Sequence, residues 1–466
     1  MGPTEAVARW IRETNYESIP SDAVKMAQEV CFDCLGVLLA GSVQPHGRIF
    51  TRYIEGLGGR AEATVLPRGF RTSACNAALG NGTLSHVLDY DDSGAFSHPS
   101  CVLFPALLAL GEKMDVSGRD LIEAYVVGCE VGTKLASSYP NSRGFHKMAV
   151  FGRMASTSAC AKLLHLDERQ IRMALGIASS MASGLVSNHG TMTKPLHAGL
   201  AARDGLMAAE LAAQGWTAGE DIVEHAVGLI ATFCGKGADV SGDVKSLGKP
   251  FITHDAITIK KYPCGGGNHP TLDSVLSLME EHHFDYRDVE EIEVQQSYQS
   301  HYVLYGKPCT GLEGKFSIVY TTAAALVQGK VDIDTFTDDR VRDPRIQEAM
   351  DKVRVRLLSR WEEWEDRISR KWPTGSTGFT GRGVRIRLKD GRLLTKTISP
   401  KEMLGSPQNP WGFENVRAKF ESNASLALPT EKVEEAVRLW SKIVEVKKIR
   451  EAIACMVGGE GHSLEG

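Results

Sequence analysis

Nothing constrains this chain more than the run of long, alanine-rich, helix-periodic segments that fills its first half. "GRDLIEAYVVGCEVGTKLASS" (118–138), "AVFGRMASTSACAKLL" (149–164), "ERQIRMALGIASSMASGL" (168–185) and "HAGLAARDGLMAAELAAQG" (197–215) follow one another with little between them. Apolar residues spaced by three and four predict helices. Gly and Ala within them allow close backbone approach, as a large bundle-like α domain requires. In "DAVKMAQEVCFDCLGVLL" (22–39), Val24, Ala27, Cys31, Leu35 and Leu38 share one face, and Ser21 is the expected N-cap. Cys34 lies one turn from Cys31. With no second pair at zinc spacing, both read as buried core thiols.

The texture changes near residue 255. "VEEIEVQQS" and "DKVRVRLL" alternate apolar and polar residues, and "GVRIRLKDGRLLTKTIS" is two alternating runs joined by Asp390-Gly391, a hairpin signal. From 431 to 456 the pattern is helical again. The expected fold is therefore mainly α: a large all-helical domain (1–254 with 403–455) interrupted by a smaller α+β lid domain (255–402) with an antiparallel sheet. Residues 456–466 read as a disordered tail.

Lys+Arg number 53 and Asp+Glu 57, a net charge of −4 without basic runs, so neither nucleic acid nor an anionic membrane is an expected partner. No apolar run approaches the roughly 20 residues of a membrane span, and the N-terminus carries no signal-peptide pattern. The expectation is a soluble, cytoplasmic protein.

Chemistry concentrates in a few polar corners. "HVLDYDDSGAFSHPS" (86–100) carries three aspartates and two histidines. "NAALGNGTLSHVLDYDD" is expected to be a helix ending near Gly94, and Pro99 to open the next helix. As a calcium loop the stretch fails, because Ser100 stands where a bidentate Glu is needed. A transition-metal site from His86, Asp89 and His98 follows no known spacing, so the expectation is no metal; a capped polar corner is the structural alternative. His98 precedes a helix N-terminus, where the dipole favours a neutral imidazole and hence a general base. His146 in "RGFHKMAVFG" and Lys194 in "TKPLH" also stand just before helices, sites suited to carboxylates. "KKYPCGGGNHP" sets Lys260, Lys261 and His269 around three glycines that match no phosphate loop; a hinge is the alternative reading. Tyr320 lies on the helix of "GKFSIVYTTAAALVQG", as packing or as proton donor.

Taken in order, "NGTLSHVLDYDD…HPS", "GFH", "TKPLHAGLAARDG", "KYPCGGGNHP" and "KFSIVYTTAAAL" resemble the MmgE/PrpD family over roughly residues 4–455. The resemblance implies a homodimer of two-domain subunits and cofactor-free chemistry on small di- and tricarboxylates: 2-methylcitrate dehydration, cis-aconitate decarboxylation or iminodisuccinate epimerisation. It implies His98 and His146 as the acid–base pair, with Asp89 orienting an imidazole and Ser93 beside it. Lys194 and Lys260, or its rival Lys261, would hold carboxylates with His269 nearby. Tyr320 would move a proton at the lid. Two departures stand out. Decarboxylase-type members carry a histidine where this chain has Gly265, and bacterial methylcitrate dehydratases have a longer insertion before the His-Pro pair, followed by Ser-Asp-Asn. A lyase is the leading expectation, an epimerase of an aspartate- or succinate-like acid the alternative, and a non-catalytic carboxylate-binding protein the third.

Overall fold

The computed structural model describes residues 1–140, 144–296, 305–357, 382–399 and 401–458. Among the described residues, nine helices build most of the body: α1 (Pro3–Glu13), α2 (Ser21–Ser42), α3 (Pro45–Leu57), α4 (Ala74–His86), α5 (Ser100–Met114), α6 (Gly118–Leu135), α7 (Lys147–Leu163), α8 (Glu168–Met181) and α9 (Thr193–Ala213). Helix α2 is buried on nearly all sides, Cys31 and Cys34 included, which is why its sequence is so uniformly apolar. It starts at Ser21, but Pro20 holds the cap position and no side chain caps the helix, so Ser21 is not the expected N-cap.

Helices α4 and α9 cross through glycines. A Cβ on Gly199 would lie 2.2 Å from Thr83 Oγ1 and 2.4 Å from the Leu79 carbonyl oxygen. Only bare backbone fits there, and the contact brings the N-terminal end of α9 beside the C-terminal end of α4.

Short strands decorate the body. β1 (Ala63–Thr64) pairs with β2 (Arg71–Thr72), and β3 (Asp92–Gly94) pairs antiparallel with β4 (Ile257–Ile259), Asp92 opposite Ile259. The helix expected to run to Gly94 therefore ends at His86. Asp89 takes a left-handed conformation (φ 50°), which no continuing α-helix tolerates, and the chain leaves as an edge strand.

A second hydrophobic core gathers Leu272, Val275, Ile292, Val294, Tyr320, Ala324, Ile346 and Ile386. It lies between α10 (His269–His282), α11 (Ile318–Gln328) and a four-stranded sheet ordered β6-β5-β7-β8. The strands are β5 (Val289–Gln296), β6 (Val353–Leu357), β7 (Arg382–Leu388) and β8 (Leu393–Lys396). β5–β7 and β7–β8 are antiparallel, while β5–β6 is parallel, so the sheet is mixed rather than wholly antiparallel. The cause is the connection: helices between 311 and 351 carry the chain back before β6 begins, a crossover of the kind parallel pairing needs. The Asp390-Gly391 hairpin forms between β7 and β8, with Gly391 at φ 91°.

The chain then returns to the first core. In α12 (Phe413–Ala424), Phe420 stacks on Phe32 of α2 with ring centroids 4.1 Å apart. Met456, placed by the sequence in a disordered tail, is buried, and the Gly458 N–H donates to the Pro67 carbonyl at 2.8 Å; residues 459–466 lie outside the described residues. Among the described residues no single helix is long and apolar enough to cross a membrane. The bent pair α2–α3 passes on composition alone, and α2 is core.

Candidate active site

The centre of the polar cluster is Asp89, in the sharp turn after α4. Its Oδ1 accepts hydrogen bonds from Lys194 Nζ at 2.9 Å and Lys260 Nζ at 2.7 Å. Lys260 also donates to the Asp89 carbonyl at 3.0 Å. Lys194 arrives on the first turn of α9, held there by the α4–α9 contact, and Lys260 follows β4 directly. All three side chains are buried. Burial alone favours a neutral carboxyl, but the two ammonium groups overcome it and hold Asp89 well below the usual carboxylate range.

His98 stands beside this triad. Its Nδ1 lies 2.8 Å from the Asp92 carbonyl, which can only accept, so Nδ1 carries the hydrogen and Nε2 a lone pair. Nε2 is 3.8 Å from Asp89 Oδ1. Burial, then the charges of Lys260 and Lys194, push His98 down to about 4, so the ring is neutral at neutral pH.

His146, the residue before α7, lies with its ring 6.3 Å from that of His98. Its Nδ1 is 3.1 Å from His197 Nδ1, and its Nε2 is buried without a hydrogen-bond partner. Burial, followed by His189 and Lys194, holds it well below the ordinary imidazole value. The two Nδ1 atoms share one hydrogen. When His197 donates it, His146 Nε2 bears a proton and can act as an acid; when His146 donates it, Nε2 is a base. His189, 4.5 Å from His146 between ring centroids, stacks on Phe316, and its Nε2 is also buried and unpaired. Two buried imidazole nitrogens without partners on neighbouring rings are costly unless a ligand meets them.

The structure thus brings together Asp89, His98, His146, Lys194 and Lys260 from four segments. Others named from sequence lie apart. Tyr320 is in the second core, its hydroxyl donating to the Thr335 carbonyl beside Phe336, because helical spacing turns it inward. It is not a wall of the cluster. Lys261 points away, to Asp273 at 3.0 Å, so Lys260 is the lysine that reaches Asp89. His269 is buried beside Lys260's charge, with Nε2 3.4 Å from the Cys264 carbonyl oxygen. Ser93, half-buried on β3, lies against Gly266, where a Cβ would be 3.8 Å from its Oγ.

Sequence reasoning passed over His189, His197 and Lys315, weighed Asp91 only as a calcium-loop position, and weighed His86 only as a metal ligand. His197 sits inside the TKPLH motif and His189 four residues before it; a lone histidine carries no signal of its neighbours. Lys315, just before α11, donates to the carbonyls of Leu88 at 3.0 Å and Pro263 at 2.8 Å, and burial pushes it down to about 7. A cavity of about 1640 Å³ opens on the other side of this segment, lined by Leu88, Tyr90, Lys315 and Lys419 but not by Asp89.

Metal-ligating atoms of His86, Asp89, Asp91 and His98 lie within 4.8 Å of one another. Two of them are already engaged by ammonium groups: Asp89 by both lysines and His86 Nε2 by Lys194 at 2.6 Å. The donor set is charge-balanced by lysine, and a divalent cation would have to displace both ammonium groups.

Two family models match: the MmgE/PrpD N-terminal domain over residues 5–240 and the MmgE/PrpD C-terminal domain over 262–442. Among curated relatives, the cis-aconitate decarboxylase of Mus musculus is 27% identical over 462 residues, covering 95% of this chain and 91% of that protein. The cis-aconitate decarboxylase of Homo sapiens is also 27% identical, over 95% and 92% of the two chains. That of Aspergillus terreus is 26% identical over 98% and 96%. With the two domain models together covering most of its length, the chain belongs to the MmgE/PrpD family.

Proposed function

We propose that this protein is a lyase acting on a small tricarboxylate of the cis-aconitate type, with Lys194 and Lys260 holding carboxylates and His98 and His146 handling protons. The observation that carries this reading is the convergence of two buried ammonium groups on one aspartate beside two neutral histidines. The named activity of the relatives supports the substrate class.

In a decarboxylation the bond from the α carbon to one carboxylate breaks and carbon dioxide leaves. The electron pair stays on carbon, spread over the adjacent double bond and a second carboxylate. Fixed ammonium groups stabilise that charge where it develops. A proton from a histidine then quenches the carbanion. In a dehydration the neutral imidazole of His98 instead removes the α proton, and hydroxide leaves as water after protonation. The dehydration needs a base and an acid, the decarboxylation an acid alone, and His98 and His146 are the residues assigned to these roles.

A second reading is supported by Gly265, which stands where decarboxylase-type members carry a histidine. Proton removal by one imidazole and return by the other, with no bond to carbon dioxide or water broken, gives an epimerase.

Incubation with cis-aconitate, citrate-like and aspartate-like acids in heavy water, followed by proton NMR and mass spectrometry, separates these. A lyase yields product lighter by carbon dioxide or water. An epimerase yields substrate that has gained deuterium and changed optical rotation. No mass loss and no deuterium with any of these acids would rule the proposal out. His98→Gln should lower kcat by about 10² to 10⁴-fold if this imidazole moves the proton.

A further inference from the structure

Beneath Lys194 lies a pair of residues that the proposed chemistry leaves unused. Asp91 Oδ1 is 2.8 Å from His86 Nδ1, and His86 Nε2 is 2.6 Å from Lys194 Nζ. His86 and Asp91 are both fully enclosed, with side-chain exposures of 0% and 0%. An enclosed carboxylate beside two imidazoles stays ionised, and Asp91 is held well below the usual carboxylate range by His86 and His98. It can then only accept, which puts the hydrogen of His86 on Nδ1 and a lone pair on Nε2. That lone pair faces an ammonium group.

The consequence is geometric. An ammonium group has three N–H bonds in fixed tetrahedral directions. Lys194 spends one on His86 and one on Asp89 Oδ1 at 2.9 Å, so the direction of the third is determined. Asp91 also reaches the other side of the site, its Oδ2 lying 3.4 Å from His98 Nδ1. One carboxylate thus touches the imidazole under the cation and the imidazole that bears the free lone pair. The two rings are 4.4 Å apart.

We propose that Asp91 and His86 are positioning residues: Asp91 fixes the tautomer of His86, and His86 aims the ammonium group of Lys194 at the substrate. This rests on the lyase reading for the identity of the substrate but not for the arrangement itself. The interaction with His86 favours the charged form of Lys194. Around that ammonium stand the carboxylates Asp89 and Asp91, the cations Lys260 and Lys315, and the imidazoles of His98, His146, His189 and His197. Removing the His86 acceptor leaves burial and the neighbouring cations less opposed, so Lys194 should lose its proton at lower pH.

The test has two arms. In the first, His86→Leu and His86→Gln are compared by steady-state kinetics across pH with whichever acid the wild-type protein turns over. His86→Leu should lose about 10²-fold in kcat, the scale of a small misplacement of a catalytic group, with its alkaline limb moved to lower pH. The Gln side chain offers an oxygen acceptor and should recover most of the loss, which a merely structural role would not require. Wild-type kcat and an unmoved alkaline limb in His86→Leu would overturn the proposal. Should that variant fail to fold, Asp91→Asn replaces it, with the same loss of kcat expected and an unchanged kcat and profile overturning the proposal.

The second arm needs no turnover. In protein labelled with ¹⁵N-histidine, His86 should show the Nδ1–H tautomer, and Lys194→Met should shift chiefly its Nε2 resonance. A proton on Nε2 in the wild-type protein would sink the positioning role. If the tautomer is as expected and no acid is turned over, the arrangement stands and only the lyase reading fails.

Discussion

Asp89 does two things that pull in different directions. It occupies a left-handed backbone conformation, and among the described residues it carries the only charge that both Lys194 and Lys260 contact at hydrogen-bond distance. Asn tolerates that conformation well, so Asp89→Asn separates backbone from charge. We expect it to abolish activity and to destabilise the fold by about 3 kcal/mol, the scale for removing one partner from a buried ion pair, read by urea denaturation. For His98 the pH profile is the sharper measurement. In the free protein the ring titrates at about 4, and protonation removes the lone pair on Nε2, so kcat/KM should fall as pH drops toward that value. Bound substrate carboxylates favour the imidazolium, so the acid limb of kcat should lie at higher pH than that of kcat/KM.

At the scale of elements, two contacts decide where the site residues meet. The first is the glycine crossing of α4 and α9. Because the Leu79 carbonyl is backbone, a methyl on Gly199 cannot be accommodated by side-chain rotation. Gly199→Ala should therefore part the helices, costing about 1–3 kcal/mol and moving Lys194 away from Asp89; calorimetry and kinetics together check this. The second is Lys315, which ties the Leu88 carbonyl in the body to the Pro263 carbonyl ahead of the sheet-bearing core. Lys315→Met should speed amide hydrogen exchange at 88–91 and 260–264. The sign of the pH effect follows from burial. Lys315 sheds its proton at about 7 in the folded chain but keeps it to the ordinary lysine range when unfolded. The unfolded state thus binds more protons above pH 7, and wild-type stability should rise relative to Lys315→Met as pH increases through that window.

Across the whole molecule, the last described segment completes the first core and braces the site. Phe420 stacks on Phe32, and Lys419 donates to Asp33 at 2.9 Å, to the Tyr90 carbonyl at 2.7 Å and to the Lys260 carbonyl at 2.9 Å. One lysine of α12 therefore holds both strands of backbone that carry Asp89 and Lys260. A chain ended after residue 402 would expose α2 and strand Asp33. It should lack cooperative unfolding and near-ultraviolet circular dichroism, whereas a chain ended after 458 should keep both.

Helix content, the hairpin at Asp390-Gly391 and the polar corners ahead of helices were legible because each depends on spacing within a few residues. For the same reason sequence could name His98, His146, Asp89, Lys194 and Lys260 as separate candidates. Three-dimensional packing alone decided that these five meet, that Lys261 turns to Asp273 and that Tyr320 points into a core. Choosing between neighbouring lysines, or between two faces of one helix, depends on which partner surface lies opposite, and for Lys260 that partner, Asp89, is 171 positions away. The turn at Asp89 and the parallel β5–β6 pair were hidden likewise: both are dictated by long-range pairing, β3 with β4 and one strand with another after a crossover, and no local pattern records such a partner.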